Sequence, residues 1–111
     1  MRIDDRDHIG RKLDTLVQCA LHRRAVRLTC KRCSHSQLFD AVPLWWMFDR
    51  RGWSGVFPEV RRQFYCGPCW EKDRRKVRPA ILVTDEPPPQ TGRYPYPDER
   101  TWKRLVSRYR S

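Results

Sequence analysis

Four cysteines occur as two close pairs, and their thiolates are the side chains in this sequence best suited to hold a metal ion. Cys30 and Cys33 form the first Cys-x-x-Cys pair, and Cys66 and Cys69 form the second. Each pair lets two sulfurs converge on one ion from a tight turn, and two such turns supply the four thiolates of a tetrahedral Zn²⁺ site. We therefore predict that these four residues bind one Zn²⁺ per chain.

The separation of the two pairs and the closed ligand set indicate a structural metal. Residues 34–65 lie between the pairs, more than the usual spacing of about 15 to 20 residues, so a folded insert is expected there. A catalytic zinc keeps an open coordination position, whereas four cysteines close the sphere. The acidic residues of 85–99 form no paired-carboxylate motif, so we expect no enzymatic activity.

Two other uses of these cysteines remain as alternatives. Disulfides would suit an exported protein, but residues 1–25 contain no apolar secretory segment, so we expect a cytoplasmic protein with reduced thiols. The stretch 65–69, Tyr-Cys-Gly-Pro-Cys, is similar to the redox dithiol of thioredoxins. That function would require a long sheet after the dithiol and would leave Cys30 and Cys33 without a role.

Two further residues could belong to the metal chemistry. His35 follows Cys33 by two positions, and because four thiolates already fill the site we interpret it as a hydrogen-bonding neighbour or a surface residue, with ligation as the alternative. Cys19 has no partner at ligand spacing. We predict that it is a small, half-buried hydrophobic residue rather than a reactive thiol.

The charge balance indicates an anionic partner. The 111 residues carry 24 Lys and Arg against 13 Asp and Glu, a formal charge of +11, and 19 of the 24 are arginine. Arginine favours forked hydrogen bonds to phosphate, and such a charge attracts nucleic acids. A coding bias toward arginine is the alternative explanation. No run of 18 apolar residues occurs, so we expect no membrane span.

Periodicity divides the chain into four parts. We predict a flexible N-terminus over 1–11, a zinc-ribbon domain with a helical insert over 12–84, a Pro-rich connection over 85–97 and a basic amphipathic C-terminal helix over 98–111. The predicted fold class is α+β. Its β unit is small and zinc-ribbon-like, and its helical insert lies between the two Cys-x-x-Cys turns. Helices flank it at both ends.

Within 12–84 the patterns predict seven helices and strands. A helix carries apolar residues from Leu13 to Leu21, a strand covers 25–30, and a return strand covers 36–39. Asp40 is predicted to cap a helix that Gly52 ends, with Pro43 in its first turn. A short helical face over 57–64 is predicted to run into a strand over 63–66. Residues 71–76 are predicted to be an exposed connection and 77–83 an edge strand.

The paired turns resemble those of the zinc-ribbon superfamily. Helices between the pairs and the ending Pro-Asp-Glu-Arg-x-Trp-Lys-Arg make the layout similar to small uncharacterised bacterial zinc-ribbon proteins. The resemblance implies a metal at the four cysteines. It implies little about activity, because zinc ribbons serve in transcription, translation and replication and as structural staples.

Two functions follow as hypotheses. In the first, the chain binds nucleic acid through phosphate contacts from Arg50, Arg51, Arg61, Arg62, Arg74, Arg75, Lys76, Lys103, Arg104 and Arg108. A helix-turn-helix reading of 44–64 is less favoured, because the second helix is too short for normal groove recognition. In the second, the chain is an adaptor or regulator that binds a protein partner through Trp46, Met47 and Trp102. Neither the oligomeric state nor the target follows from the sequence.

Overall fold

A three-stranded antiparallel sheet and five helices make up the part of the protein that the structure describes. The structure is a computed structural model that describes residues 13–87 and 94–110. The elements in chain order are α1 Leu16–Leu21, β1 Ala25–Cys30, β2 Ser36–Asp40, α2 Ala41–Arg50, α3 Phe57–Arg62, α4 Gly67–Asp73, β3 Pro79–Thr84 and α5 Glu99–Arg110. The predicted α+β class is confirmed, with helices at both ends. The predicted N-terminal segment and much of the Pro-rich connection lie outside the described residues.

Strand β1 is the centre of the sheet and pairs antiparallel with β2 on one side and β3 on the other. Val26, Leu28 and Cys30 on β1 are buried, whereas Arg27 and Thr29, which alternate with them, are only half-buried, so one face of the sheet covers the core. Strand β3 is an edge strand, as its sequence predicted. It begins at Pro79, which has no N–H to donate to a ladder.

Helix α2 closes the core over the sheet. The carboxylate of Asp40 accepts a hydrogen bond of 3.1 Å from the backbone N–H of Val42, as the predicted N-cap requires. Gly52 has φ of +69° just after the helix, a conformation that glycine adopts without strain. Leu44 and Phe48 on α2 are fully buried, together with Leu16 on α1.

The predicted strand over 63–66 is wrong, and so is the predicted start of the exposed connection. Residues 63–66 form a turn and irregular backbone, and the chain then enters α4, which continues to Asp73. The ring of Phe64 packs into the core at 6.1 Å from Phe48, so this segment is held by its side chain rather than by a ladder. Pro68 in the first turn of α4 favours the helix.

The N-terminal helix is shorter than its apolar pattern predicted. It begins at Leu16, because the hydroxyl of Thr15 caps it by accepting a hydrogen bond of 3.3 Å from the N–H of Gln18. Leu13 is buried although it precedes the helix. Cys19 is fully buried, which corrects the predicted half-burial: it lies in the same core cluster as Leu16 and Ala20.

Helix α5 packs on the rest of the described chain through Trp102 and Leu105, which belong to the apolar side of the predicted amphipathic helix, whereas Tyr109 on that side is exposed. Leu105 is buried, and the indole of Trp102 lies edge-on to that of Trp45 at 6.2 Å between ring centroids. The guanidinium of Arg23 lies over Trp102, 4.8 Å from the ring centre. Among the described residues, no helix combines the length and the apolar character that crossing a membrane requires.

Candidate metal centre and cationic surfaces

The two Cys-x-x-Cys turns come together in the fold, and their four sulfurs form one cluster. The Sγ atoms of Cys30, Cys33, Cys66 and Cys69 all lie within 4.8 Å of one another. Two contacts across the cluster are 3.8 Å, between Cys30 and Cys69, and 3.5 Å, between Cys33 and Cys66. With Zn–S bonds of about 2.3 Å, two sulfurs of a tetrahedral site are about 3.8 Å apart. The donor set and its spacing therefore fit one tetrahedral metal ion.

The first turn follows directly from β1, and Cys30 is the last residue of that strand. The N–H of Cys30 donates to the carbonyl of His35 at 2.7 Å, and the N–H of Ser34 donates to the carbonyl of Cys30 at 3.0 Å. Ser34 has φ of +66°, so the chain reverses within a few residues and enters β2. The N–H of Arg32 points at the Cys30 sulfur at 3.4 Å, a bond that favours the thiolate.

The second turn is the start of α4. Cys66 is the N-cap residue and Cys69 lies in the first turn of the helix, so helical geometry brings both sulfurs to one side. The N–H of Trp70 donates to the Cys66 carbonyl at 3.0 Å, and the N–H of Cys66 donates to the Val77 carbonyl at 3.0 Å. This last bond ties the second turn to the segment that leads into β3.

The thiols of the cluster differ in acidity, and an ion pair helps to hold the two turns together. Backbone N–H groups of Cys33 and Arg32 lower the pKa of the Cys30 thiol to about 6, whereas burial raises the pKa of the Cys66 thiol to about 12. An ion pair between Arg32 and Asp73 joins the first turn to the end of α4. A divalent cation would remove this difference in acidity, because it stabilises all four thiolates at once.

Three of the four cysteines are buried, and Cys33 is exposed. His35 is not part of the cluster. Its side chain is exposed and its carbonyl serves the first turn, which agrees with the predicted non-ligand role.

No protein-family model, curated protein or solved structure matches this chain. The cysteine cluster is consistent with a zinc-binding fold.

One set of predicted cationic residues adjoins the cysteine cluster. This set, which we call the metal-end patch, consists of three exposed cations and two rings: Arg74, Arg75, Lys76, Tyr65 and Trp70. The guanidinium of Arg74 lies over the Trp70 ring at 5.4 Å, and the Lys76 ammonium lies 5.7 Å from the centre of Tyr65. Cations stacked in this way keep their outer N–H groups available to solvent.

A second set of predicted cationic residues surrounds a groove between α2 and α5. The groove has a volume of about 550 Å³. We define it by the residues that give it chemical character, which are Trp46, Asp49, Trp53, Arg104, Arg108 and Tyr109. Next to it, the guanidinium of Arg50 lies 5.1 Å from the Trp46 ring centre, and that of Arg51 lies 4.9 Å from the Trp53 ring centre.

Arg61, Arg62 and Lys103 contact other residues of the chain. The Nε–H of Arg61 donates to the Pro79 carbonyl at 2.8 Å, so this half-buried side chain ties α3 to β3. Arg62 forms an ion pair with Glu59 on its own helix. Lys103 forms one with Glu99 along α5. Exposed pairs of this kind are weak, so Arg62 and Lys103 keep their ability to contact other anions.

The structure also places the aromatic residues of the protein-binding hypothesis. Met47 is buried in the core at 5 % exposure, so its side chain is not offered to a partner. Trp102 is half-buried and serves the docking of α5. Trp46 is half-buried and lines the groove. Sequence reasoning missed Trp53 and Tyr109 as groove residues, because no local pattern reveals that α5 lies opposite the loop after α2.

Proposed function

We propose that this chain is a zinc-stabilised, basic, non-enzymatic protein that binds nucleic acid, either DNA or RNA, through arginine contacts to phosphates. The observation that carries the proposal is the stacking of Arg50 and Arg51 on Trp46 and Trp53, beside a groove that Arg104 and Arg108 line. A stacked guanidinium is held in place without losing its charge, and its N–H groups can donate to phosphate oxygens in forked pairs.

Zinc is the proposed metal, with one ion held by Cys30, Cys33, Cys66 and Cys69. Four thiolates at tetrahedral spacing suit Zn²⁺, which has no geometric preference of its own. When bound, the ion supplies cross-linking of β1 to α4 and no reaction chemistry, because all four positions are taken by sulfur. The protein would need such a link, since a chain of this size has a modest apolar core.

The overall charge supports the nucleic-acid proposal independently of any one contact. A formal charge of +11 on 111 residues creates a field that attracts polyanions over a Debye length. Four exposed cations lie over aromatic rings, so less side-chain entropy is lost when they meet phosphates: Arg50, Arg51, Arg74 and Lys76. Stacked arginines of this kind favour phosphate contact over a merely solvated basic surface.

The test is the salt dependence of binding. Purified, zinc-loaded protein is titrated into labelled DNA and RNA of random sequence at about 50 mM salt and at increasing salt. We expect weak sequence preference and a linear fall of log affinity with log salt, with a slope of about −0.9 for each duplex phosphate neutralised. Absence of binding to both DNA and RNA at about 50 mM salt would refute the proposal.

The adaptor hypothesis keeps one observation in its favour: Tyr109 is 55 % exposed on α5, and large exposed aromatic residues are common in protein interfaces. A pull-down from native lysate with and without nuclease separates the two functions. Capture that survives nuclease and is lost with Trp46→Ala would favour a protein partner.

A further inference from the structure

The groove between α2 and α5 has the composition of a site that takes flat rings. Three of its defining residues are aromatic: Trp46 on α2, Trp53 in the loop that follows and Tyr109 near the end of α5. Its volume of about 550 Å³ falls in the range of about 300 to 1,000 Å³ typical of ligand sites. Two walls on different elements therefore face one space that is large enough for part of a polymer.

The rings in the groove are only partly used by the fold. Trp46 and Trp53 are half-buried, and Trp53 is held edge-on against Phe48 at 5.3 Å between centroids. Tyr109 is 55 % exposed, and the core cluster that holds α5 includes Leu105 and Trp102 but not Tyr109. The exposed ring of Tyr109 can stack on a nucleic-acid base, and the ring surface of Trp46 and Trp53 that Arg50 and Arg51 do not cover can do the same.

The charges around the groove select an anionic occupant. Arg104 and Arg108 line it, Arg50 lies over Trp46 and Arg51 lies over Trp53. Among the described residues that line the groove, Asp49 is the single carboxylate. Four guanidinium groups against one carboxylate favour a polyanion over an acidic or neutral small molecule, because repeated phosphates can reach both walls.

We propose that the groove binds single-stranded nucleic acid, with bases stacked on Trp46, Trp53 and Tyr109 and phosphates contacting Arg50, Arg51, Arg104 and Arg108. This inference rests on the proposed function and names its ligand and its site. Unpaired bases present their ring faces, whereas a duplex hides them. Recognition of a duplex groove would use α3, which spans only Phe57–Arg62 and whose Arg61 is bonded to Pro79.

The experiment compares two double variants that remove the same residue types from different places. Tyr109→Ala with Arg104→Ala alters the groove, and Tyr65→Ala with Arg75→Ala alters the metal-end patch. All four side chains are exposed, so both variants should fold, which zinc content and circular dichroism verify. Each protein is titrated with a labelled oligonucleotide as a single strand and as a duplex at about 50 mM salt.

We expect the wild type to prefer the single strand. The groove variant should lose about tenfold or more in single-strand affinity, while the metal-end variant changes by less than about threefold. Tyr109→Phe should keep the wild-type affinity, because stacking needs the ring and not the hydroxyl. Photocrosslinking of a bromouridine-containing single strand should label Trp46, Trp53 or Tyr109.

The outcomes separate the site from the general function. If the protein binds but prefers the duplex, or if both double variants weaken binding equally, the groove proposal is overturned and nucleic-acid binding stands. If neither oligonucleotide binds, the proposed function fails and the groove proposal fails with it. If the groove variant instead loses a protein captured from lysate in the presence of nuclease, the groove is a protein site and the inference is wrong.

Discussion

The sulfur of Cys30 and the sulfur of Cys69 lie 3.8 Å apart, although the residues are 39 positions apart in the chain. Cys30 ends the central strand and Cys69 lies in the first turn of α4. Helices α2 and α3 are folded between them, so the four-thiolate site exists only when this insert has formed. Metal binding and folding are therefore expected to be one coupled process.

Loss of one ligand should remove both the metal and the fold. We expect one zinc per wild-type chain by elemental analysis and less than a full equivalent in Cys66→Ser, because site formation contributes on the order of 10 kcal/mol. A chelator should abolish the near-ultraviolet dichroism of the buried Trp45 and of the half-buried tryptophans packed against the core. Cys19→Ala is the control and should retain one zinc. Wild-type protein without metal, or with unchanged dichroism after chelation, would contradict the prediction.

Alkaline pH should destabilise the protein through Cys19. Burial raises the pKa of this thiol from 9.0 to about 12, because the charged thiolate is not solvated in the core. The contribution of the neutral Cys19 thiol to the unfolding free energy is complete below pH 9, where the thiol is neutral in both the folded and the unfolded chain. It is lost as pH rises from 9 toward 12, where only the unfolded chain ionises.

Urea unfolding at pH 8 and at pH 10.5 measures this effect. Between these values the wild type should lose about 2 kcal/mol more unfolding free energy than Cys19→Ala, which has no thiol to ionise. Other titrating groups are common to both proteins and cancel in the comparison. Equal losses in the two proteins would show that Cys19 does not titrate as a buried thiol.

The adjacent arginines of α3 should differ in their effect on stability. Arg61→Ala removes the 2.8 Å bond to the Pro79 carbonyl and should lower the unfolding free energy by about 1 to 2 kcal/mol. Arg62→Ala removes an exposed pair with Glu59 and should cost less than about 0.5 kcal/mol. Thermal and urea unfolding of the two variants provide the measurement, and similar values for both would refute the distinction.

Docking of α5 should depend on Leu105 and not on Tyr109. Leu105 is 7 % exposed and Tyr109 is 55 % exposed. Leu105→Ala should cost about 2 to 3 kcal/mol in unfolding free energy, whereas Tyr109→Ala should stay within about 0.5 kcal/mol of wild type. Limited proteolysis should cleave the C-terminal region of Leu105→Ala first. Equal stability of the two variants would mean that the helix contributes nothing through its apolar stripe.

Features governed by neighbouring residues were predictable from the sequence. The two cysteine pairs specify a metal-type cluster, because each pair holds its sulfurs together whatever the rest of the chain does. Strand β1 was predicted with its observed bounds, Ala25–Cys30, from its alternating pattern. The cap at Asp40 and the stop at Gly52 were predicted because both depend on local backbone geometry.

Tertiary packing decided the features that depend on distant partners. Residues 63–66 have the composition of a strand, but Phe64 is drawn into the core against Phe48, and the edge of β1 is taken by β3 instead. The sequence predicts Arg61 to be a surface cation, yet its side chain donates a hydrogen bond to the carbonyl of Pro79, 18 positions away. The groove with Trp53 and Tyr109 exists only because α5 packs near α2, and side chains brought together across the fold leave no periodic signal in the sequence.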